Sequence, residues 1–176
     1  ATNTGKERYI PYLVKEAQRL EKSGVDFLVM PCNSLHIFIN EIRESVSIPV
    51  LSIVEETVAT LSKKSIKKVG LISTSATIKN KVYENSFTAA GIDFVTPDDL
   101  QRAKMDKIIQ NLISGRHMND DREYIQEVIG DLTTKGVESV ALACTDLQIL
   151  LPESGNIAVF DTMKVLAEAT VSEILS

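Results

Sequence analysis

Gly24-Val25-Asp26-Phe27-Leu28-Val29-Met30-Pro31-Cys32-Asn33 has a partial echo further along the chain, at Gly136-Val137-Glu138-Ser139-Val140-Ala141-Leu142-Ala143-Cys144-Thr145. The glycines and the cysteines stand at one shared offset of 112 residues, and Leu35 and Leu147 keep it too. Each copy reads in the same order: a helix stopped by glycine, a short apolar strand, a cysteine where the strand gives out, a short helix, a proline and another strand. Two related halves explain this order better than chance does.

Working outward, short apolar runs alternate with segments whose apolar residues lie three and four apart. The spacing predicts helices over Tyr9–Lys22, Asn33–Glu44, Glu55–Lys63, Ile78–Ala90, Gln101–Ser114, Asp121–Lys135 and Thr162–Leu175, with a shorter one starting at Asp146 and stopped by Pro152. Strands are expected at Asp26–Pro31, Val50–Val54, Val69–Ser73, Phe94–Val95, Val137–Ala143 and Ile157–Phe160. Such alternation defines an α/β fold with parallel sheets and right-handed crossovers. The expected architecture is two pseudo-symmetric halves, each a parallel sheet flanked by helices. Residues 1–62 form the first half, joined by the C-terminal helix 162–176, and residues 63–161 form the second. The strands near Val69 and Phe94 have no counterparts in the first half, which therefore reads as lacking its N-terminal strands, roughly 50 residues of chain.

Composition narrows the function. With 176 residues, 44% of them hydrophobic, the chain can bury a sizeable core. A net charge of −5, no Trp and 5% aromatic residues argue against nucleic acid as a partner, because neither phosphate-binding charge nor a stacking platform is present. No apolar run suits a membrane span and the first residues lack a signal-peptide pattern, so the expected setting is cytoplasmic. Two cysteines in a domain of this size make free thiols rather than a disulfide framework.

Ligands of parallel α/β sheets bind beyond the carboxyl ends of the strands, where both thiols are expected. Halves facing each other would bring Cys32 and Cys144 to one cleft from opposite sides. That arrangement suits inversion at carbon: one group removes a proton from one face while the other returns a proton to the opposite face. A helix start lowers a thiol's pKa and can hold a carboxylate. Asn33 and Ser34 follow the first thiol, and Thr145 and Asp146 follow the second; these polar pairs are candidate contacts for a substrate carboxylate and amine. A lone free cysteine is more often a small buried hydrophobe, but symmetry at two strand ends favours function here.

At Met30-Pro31-Cys32-Asn33-Ser34-Leu35-His36 and Ala143-Cys144-Thr145-Asp146-Leu147 the chain resembles the aspartate/glutamate racemase family, closest to its aspartate racemase branch. The similarity spans almost the whole chain. It implies a two-domain α/β fold, no pyridoxal phosphate, and a homodimer acting on a small amino-acid substrate; no cofactor is expected, and two cysteines and two histidines at these spacings are not a zinc signature, so no metal is expected either. By this resemblance Cys32 and Cys144 are the two catalytic bases, and Asn33, Ser34 and Thr145 contact substrate, with Asp146 beside them. The Ser73-Thr74-Ser75-Ala76-Thr77 segment resembles a substrate loop of the family's second half, which adds Thr74 and Thr77. Ser34 stands where the family has Thr, Leu35 where a small residue is common, Ala143 where Gly is usual and Asp146 where Glu is. The expected reaction is racemisation of an acidic amino acid, aspartate first and glutamate second. Its rivals are hydantoin racemisation, maleate isomerisation through covalent attack by one cysteine, and amino-acid binding without turnover.

Weaker signals have plainer readings. His36 lies a helical turn from Cys32 and could touch the thiolate, but reads better as a packing or helix-surface residue. His117 and Arg116 read as solvated loop residues, Asp161 as a helix N-cap, and Lys63, Lys64, Lys67 and Lys68 as a solvated linker between the halves.

Overall fold

The computed structural model of the chain describes residues 6–116, 119–150 and 157–176. Its elements run α1 (Lys6–Lys22), β1 (Leu28–Val29), a 3-10 turn (Ser34–Phe38), α2 (Ile39–Ser45), β2 (Val50–Leu51), α3 (Ile53–Lys63) and β3 (Lys68–Ser73). They continue with α4 (Ser75–Lys79), α5 (Glu84–Ala90), β4 (Asp93–Val95), α6 (Asp99–Ile113), α7 (Asn119–Thr134), β5 (Ser139–Ala143), a second 3-10 turn (Leu147–Leu150), β6 (Ala158–Asp161) and α8 (Thr162–Ile174).

All strand pairs are parallel, and they form two sheets: β1 with β2, and a four-stranded sheet ordered β4-β3-β5-β6. The central strands β3 and β5 are almost wholly buried, as strands covered by helices on both faces must be. Side chains alternate between the two faces. Ile72, Val140 and Leu142 pack with α6 and α7, whereas Val69, Leu71, Ala141 and Ala143 pack with α3, α5 and Leu166 of α8. A separate small core of Ala17, Leu28, Ile42 and Val50 seals α1 and α2 against the two-stranded sheet. One close approach needs glycine: a Cβ on Gly70 would stand 3.1 Å from both Leu132 Cδ1 and Val140 Cγ2.

Several expected elements change shape. The single helix expected over Ile78–Ala90 is two helices, because α4 closes in a Schellman turn: Val82 N–H donates to Thr77 C=O, Lys81 N–H to Ile78 C=O, and Lys81 takes φ 55°. The expected strand Val50–Val54 keeps only Val50–Leu51, since the Ser52 hydroxyl accepts from Glu55 N–H and starts α3 with Ile53 and Val54 buried. Asn33–Glu44 divides into the 3-10 turn and α2, and the helix expected from Asp146 is the 3-10 turn Leu147–Leu150. The strand expected at Asp26–Pro31 pairs over Leu28–Val29 alone. The lysine cluster is not a linker throughout: Lys63 ends α3, and Lys68 begins β3 with its ammonium on Lys135 C=O at 2.6 Å. His117 and Pro152 lie outside the described residues. Among the described residues no helix is long and apolar enough to cross a membrane.

Candidate active site

Cys144 is the first residue beyond β5, and Thr74 the first beyond β3. Ser73 and Ala143 are register partners, so Thr74 and Cys144 leave neighbouring strand ends. Cys32 follows β1 by three residues, and each cysteine leads into a 3-10 turn. The repeat seen in the sequence is thus a repeat of local structure: strand, thiol, tight turn.

The thiols differ in environment. Cys144 is 8% exposed and belongs to the core beneath α6 and α7. Burial pushes its thiol up to about 11. The Asp146 carboxylate, with Oδ2 3.8 Å from the sulfur, pushes the same way, while the backbone N–H groups of Asp146 and Leu147 pull against it. A charge on Cys32 adds a smaller push in the same direction. Cys32 is half-buried, with its sulfur 3.5 Å from Ser34 Oγ.

The remaining candidate residues divide into two groups. Ser34, Thr74, Thr145 and Asp146 are partly exposed beside the strand ends. Thr74 caps α4 through Thr77 N–H, and its hydroxyl lies 3.0 Å from that of Thr77. Ser75 N–H donates to Asp106 Oδ1 at 2.9 Å, which ties this loop to α6. Thr77 and Asn33, by contrast, face inward. Thr77 is buried against Thr74, and Asn33, 3% exposed, uses its amide at both ends within the protein: Oδ1 accepts from Tyr83 and Nδ2 donates to Thr162. Among the described residues no three thiol, imidazole or carboxylate groups gather as a metal would require.

His36 is a packing residue with a defined task. Its Nε2 accepts from Ile53 N–H at 3.1 Å, so the ring carries its proton on Nδ1 and donates to Cys32 C=O at 2.7 Å. It holds the cysteine's backbone rather than its sulfur. Asp161 caps α8 by accepting from Met163 N–H. Arg116 is exposed beyond α6. Sequence reading missed Tyr83 and Thr162, both buried and both bonded to Asn33. Their partners lie 50 and 129 residues away, and no local pattern signals such pairs.

A parallel α/β fold in two sheets, with one thiol beyond a strand end of each, fits the racemase resemblance of the sequence. Comparison with known proteins agrees. The family model described as Asp/Glu/Hydantoin racemase matches residues 1–170. The broad specificity amino-acid racemase RacX of Bacillus subtilis (strain 168) is 30% identical over 165 residues, covering 93% of this chain and 71% of the relative. The glutamate racemase of Persephonella marina is 30% identical over 151 residues, and there the chain spans 56% of the relative's length. Among solved structures, the aspartate racemase of Picrophilus torridus superposes with a TM-score of 0.78 at 28% identity, over 93% of this chain and 68% of that one. An aspartate racemase homologue from Pyrococcus horikoshii OT3 shares the fold at a TM-score of 0.85 and 22% identity, over 99% of this chain and 78% of that one. The chain belongs to the Asp/Glu/hydantoin racemase family, and is an isomerase by class.

Proposed function

We propose that this protein racemises a small acidic amino acid, aspartate first and glutamate second, without a cofactor, by proton transfer between Cys32 and Cys144. The observation that carries the reading is the pair of thiols, each just beyond a strand end and each leading into a 3-10 turn, one of them buried and held protonated. Burial keeps Cys144 as a thiol at neutral pH, so it serves as the proton donor at rest. The base role then falls to Cys32. Cys32 thiolate takes the α-proton from one face of the substrate, and the Cys144 S–H bond breaks as its proton passes to the opposite face. The products are the mirror-image amino acid, a Cys32 thiol and a Cys144 thiolate. The reverse substrate runs the same step backwards.

The neighbouring groups suit this chemistry. Backbone N–H groups of Asp146 and Leu147 favour negative charge on Cys144 sulfur, which offsets part of the cost of forming its thiolate. Ser34, Thr74 and Thr145 offer hydroxyls for the substrate carboxylate and amine. The Asp146 carboxylate, close to the Cys144 sulfur, suits the substrate ammonium.

The test is to incubate the full-length protein with single enantiomers of aspartate and glutamate in D₂O, following optical rotation and α-deuteration. Neutral amino acids belong in the panel, because the Bacillus subtilis relative is named for broad specificity. Racemisation with deuterium at the α-carbon supports the reading. Turnover without α-exchange points instead to covalent attack by one cysteine, and binding without turnover to a silent binding module.

A further inference from the structure

Among the described residues no strand ladder joins the two sheets, so backbone pairing there does not set the distance between the loop that carries Cys32 and the strand that delivers Cys144. A chain of buried side-chain hydrogen bonds spans the gap. The Tyr83 phenol donates to Asn33 Oδ1 at 2.5 Å, Asn33 Nδ2 donates to Thr162 Oγ1 at 3.1 Å, and Thr162 donates to Leu142 C=O at 2.9 Å. Asn33 follows Cys32 directly, and Leu142 lies two residues before Cys144.

The polarity of this chain is forced from its far end. A backbone carbonyl only accepts, which commits the single Thr162 proton to Leu142. Thr162 must therefore accept from Asn33, which turns the amide nitrogen toward Thr162 and the amide oxygen toward Tyr83. Toward Asn33, Tyr83 is the donor; burial pushes its phenol well above the ordinary range, against the pull of hydrogen bonds with Thr57 and Thr162, so the proton stays in place. Tyr83 is 1% exposed and Thr162 is fully buried. In such surroundings a broken link leaves an unpaired polar group, so the bonds resist exchange with water.

We propose that Tyr83 and Thr162 are positioning residues that fix the separation of the two cysteines through the Asn33 amide. Neither touches substrate. This rests on the two-thiol reading above, since a transfer that needs both sulfurs at one carbon is sensitive to small displacements of either. Tyr83 enters from the turn between α4 and α5, Asn33 from the loop after β1, and Thr162 from the first residue of α8. Three separate parts of the chain thus meet at one amide.

The experiment compares Tyr83→Phe, Thr162→Val and Thr162→Ser in the full-length protein, using whichever amino acid the parent racemises. Tyr83→Phe removes one hydroxyl and leaves the ring; Thr162→Val removes the hydroxyl that bonds Asn33 and Leu142 at constant shape; Thr162→Ser keeps the hydroxyl. The expected result is a fall in kcat of about ten- to a hundred-fold for the first two, with KM nearly unchanged, and recovery in Thr162→Ser. Parental kcat in a folded Tyr83→Phe protein, a change in KM alone, or no recovery in Thr162→Ser would overturn the proposal. If Thr162→Val does not fold, the Tyr83→Phe result decides. Iodoacetamide labelling of Cys144, followed by peptide mass, separates this proposal from the racemase reading. If the parent has no turnover, the racemase reading fails, and the brace is judged by labelling alone: faster Cys144 alkylation in Tyr83→Phe supports it, and an unchanged rate overturns it.

Discussion

The His36 ring accepts a hydrogen bond from Ile53 N–H at 3.1 Å, which joins the turn after Cys32 to the start of α3. Its other nitrogen donates to Cys32 C=O, so both ring positions are used by the neutral form. Protonation would break the bond to Ile53, because an imidazolium has no acceptor.

This relationship predicts a pH dependence of stability. Burial holds His36 below its ordinary value of 6.5; the Cys32 carbonyl and Glu55 oppose that shift, and Arg43 reinforces it. Between the folded value and 6.5 the unfolded chain binds the extra proton, so the contribution of neutral His36 is complete above pH 6.5 and is lost as pH falls through the folded value. Urea midpoints measured from about pH 7 down to pH 5 should fall for the parent, and fall less steeply for His36→Gln.

Asp146 predicts a separable effect on the second thiol. Burial is the larger reason that Cys144 stands at about 11, and the carboxylate adds to it. Asp146→Asn should therefore lower the midpoint of Cys144 alkylation against pH, while leaving it above the ordinary 9.0 because burial remains. An unshifted midpoint would mean that the carboxylate does not act on this sulfur.

Gly70 predicts a packing cost. An added methyl would press on the Leu132 and Val140 side chains at 3.1 Å, both of them fully buried and hemmed in by the core. Gly70→Ala should destabilise the protein by about 1 to 3 kcal/mol in denaturant unfolding, the usual cost of overpacking.

Ser139 predicts a gain. Its hydroxyl is buried without a hydrogen-bond partner at the start of β5. Removing an unpaired buried hydroxyl recovers its desolvation cost, so Ser139→Ala should stabilise by about 1 kcal/mol. A loss of that size instead would show a partner for the hydroxyl.

Much of the fold was legible where local chemistry decides it. Gly24, Gly91 and Gly136 each take positive φ behind a helix, as the sequence pattern anticipates, and β3 and β5 are read from unbroken apolar runs. The break at Lys81 was hidden because a lysine occupies the left-handed position that glycine usually announces. Ile53 and Val54 suit a strand or a buried helix equally, and only the Ser52 cap decides between them. The same divide holds at the site. Thiols at strand ends follow from local order, but the inward turn of Asn33 depends on Thr162, 129 residues away, and on a tyrosine in a turn. Spacing along the chain carries no trace of those bonds.

The most direct measurement is α-deuteration and optical inversion of one enantiomer in D₂O by the parent, by Cys32→Ala and by Cys144→Ala. With a single sulfur left, no group remains to return a proton to the opposite face, so inversion should be abolished in both variants while each still folds. Inversion at the parental rate in either variant would contradict proton transfer between two thiols.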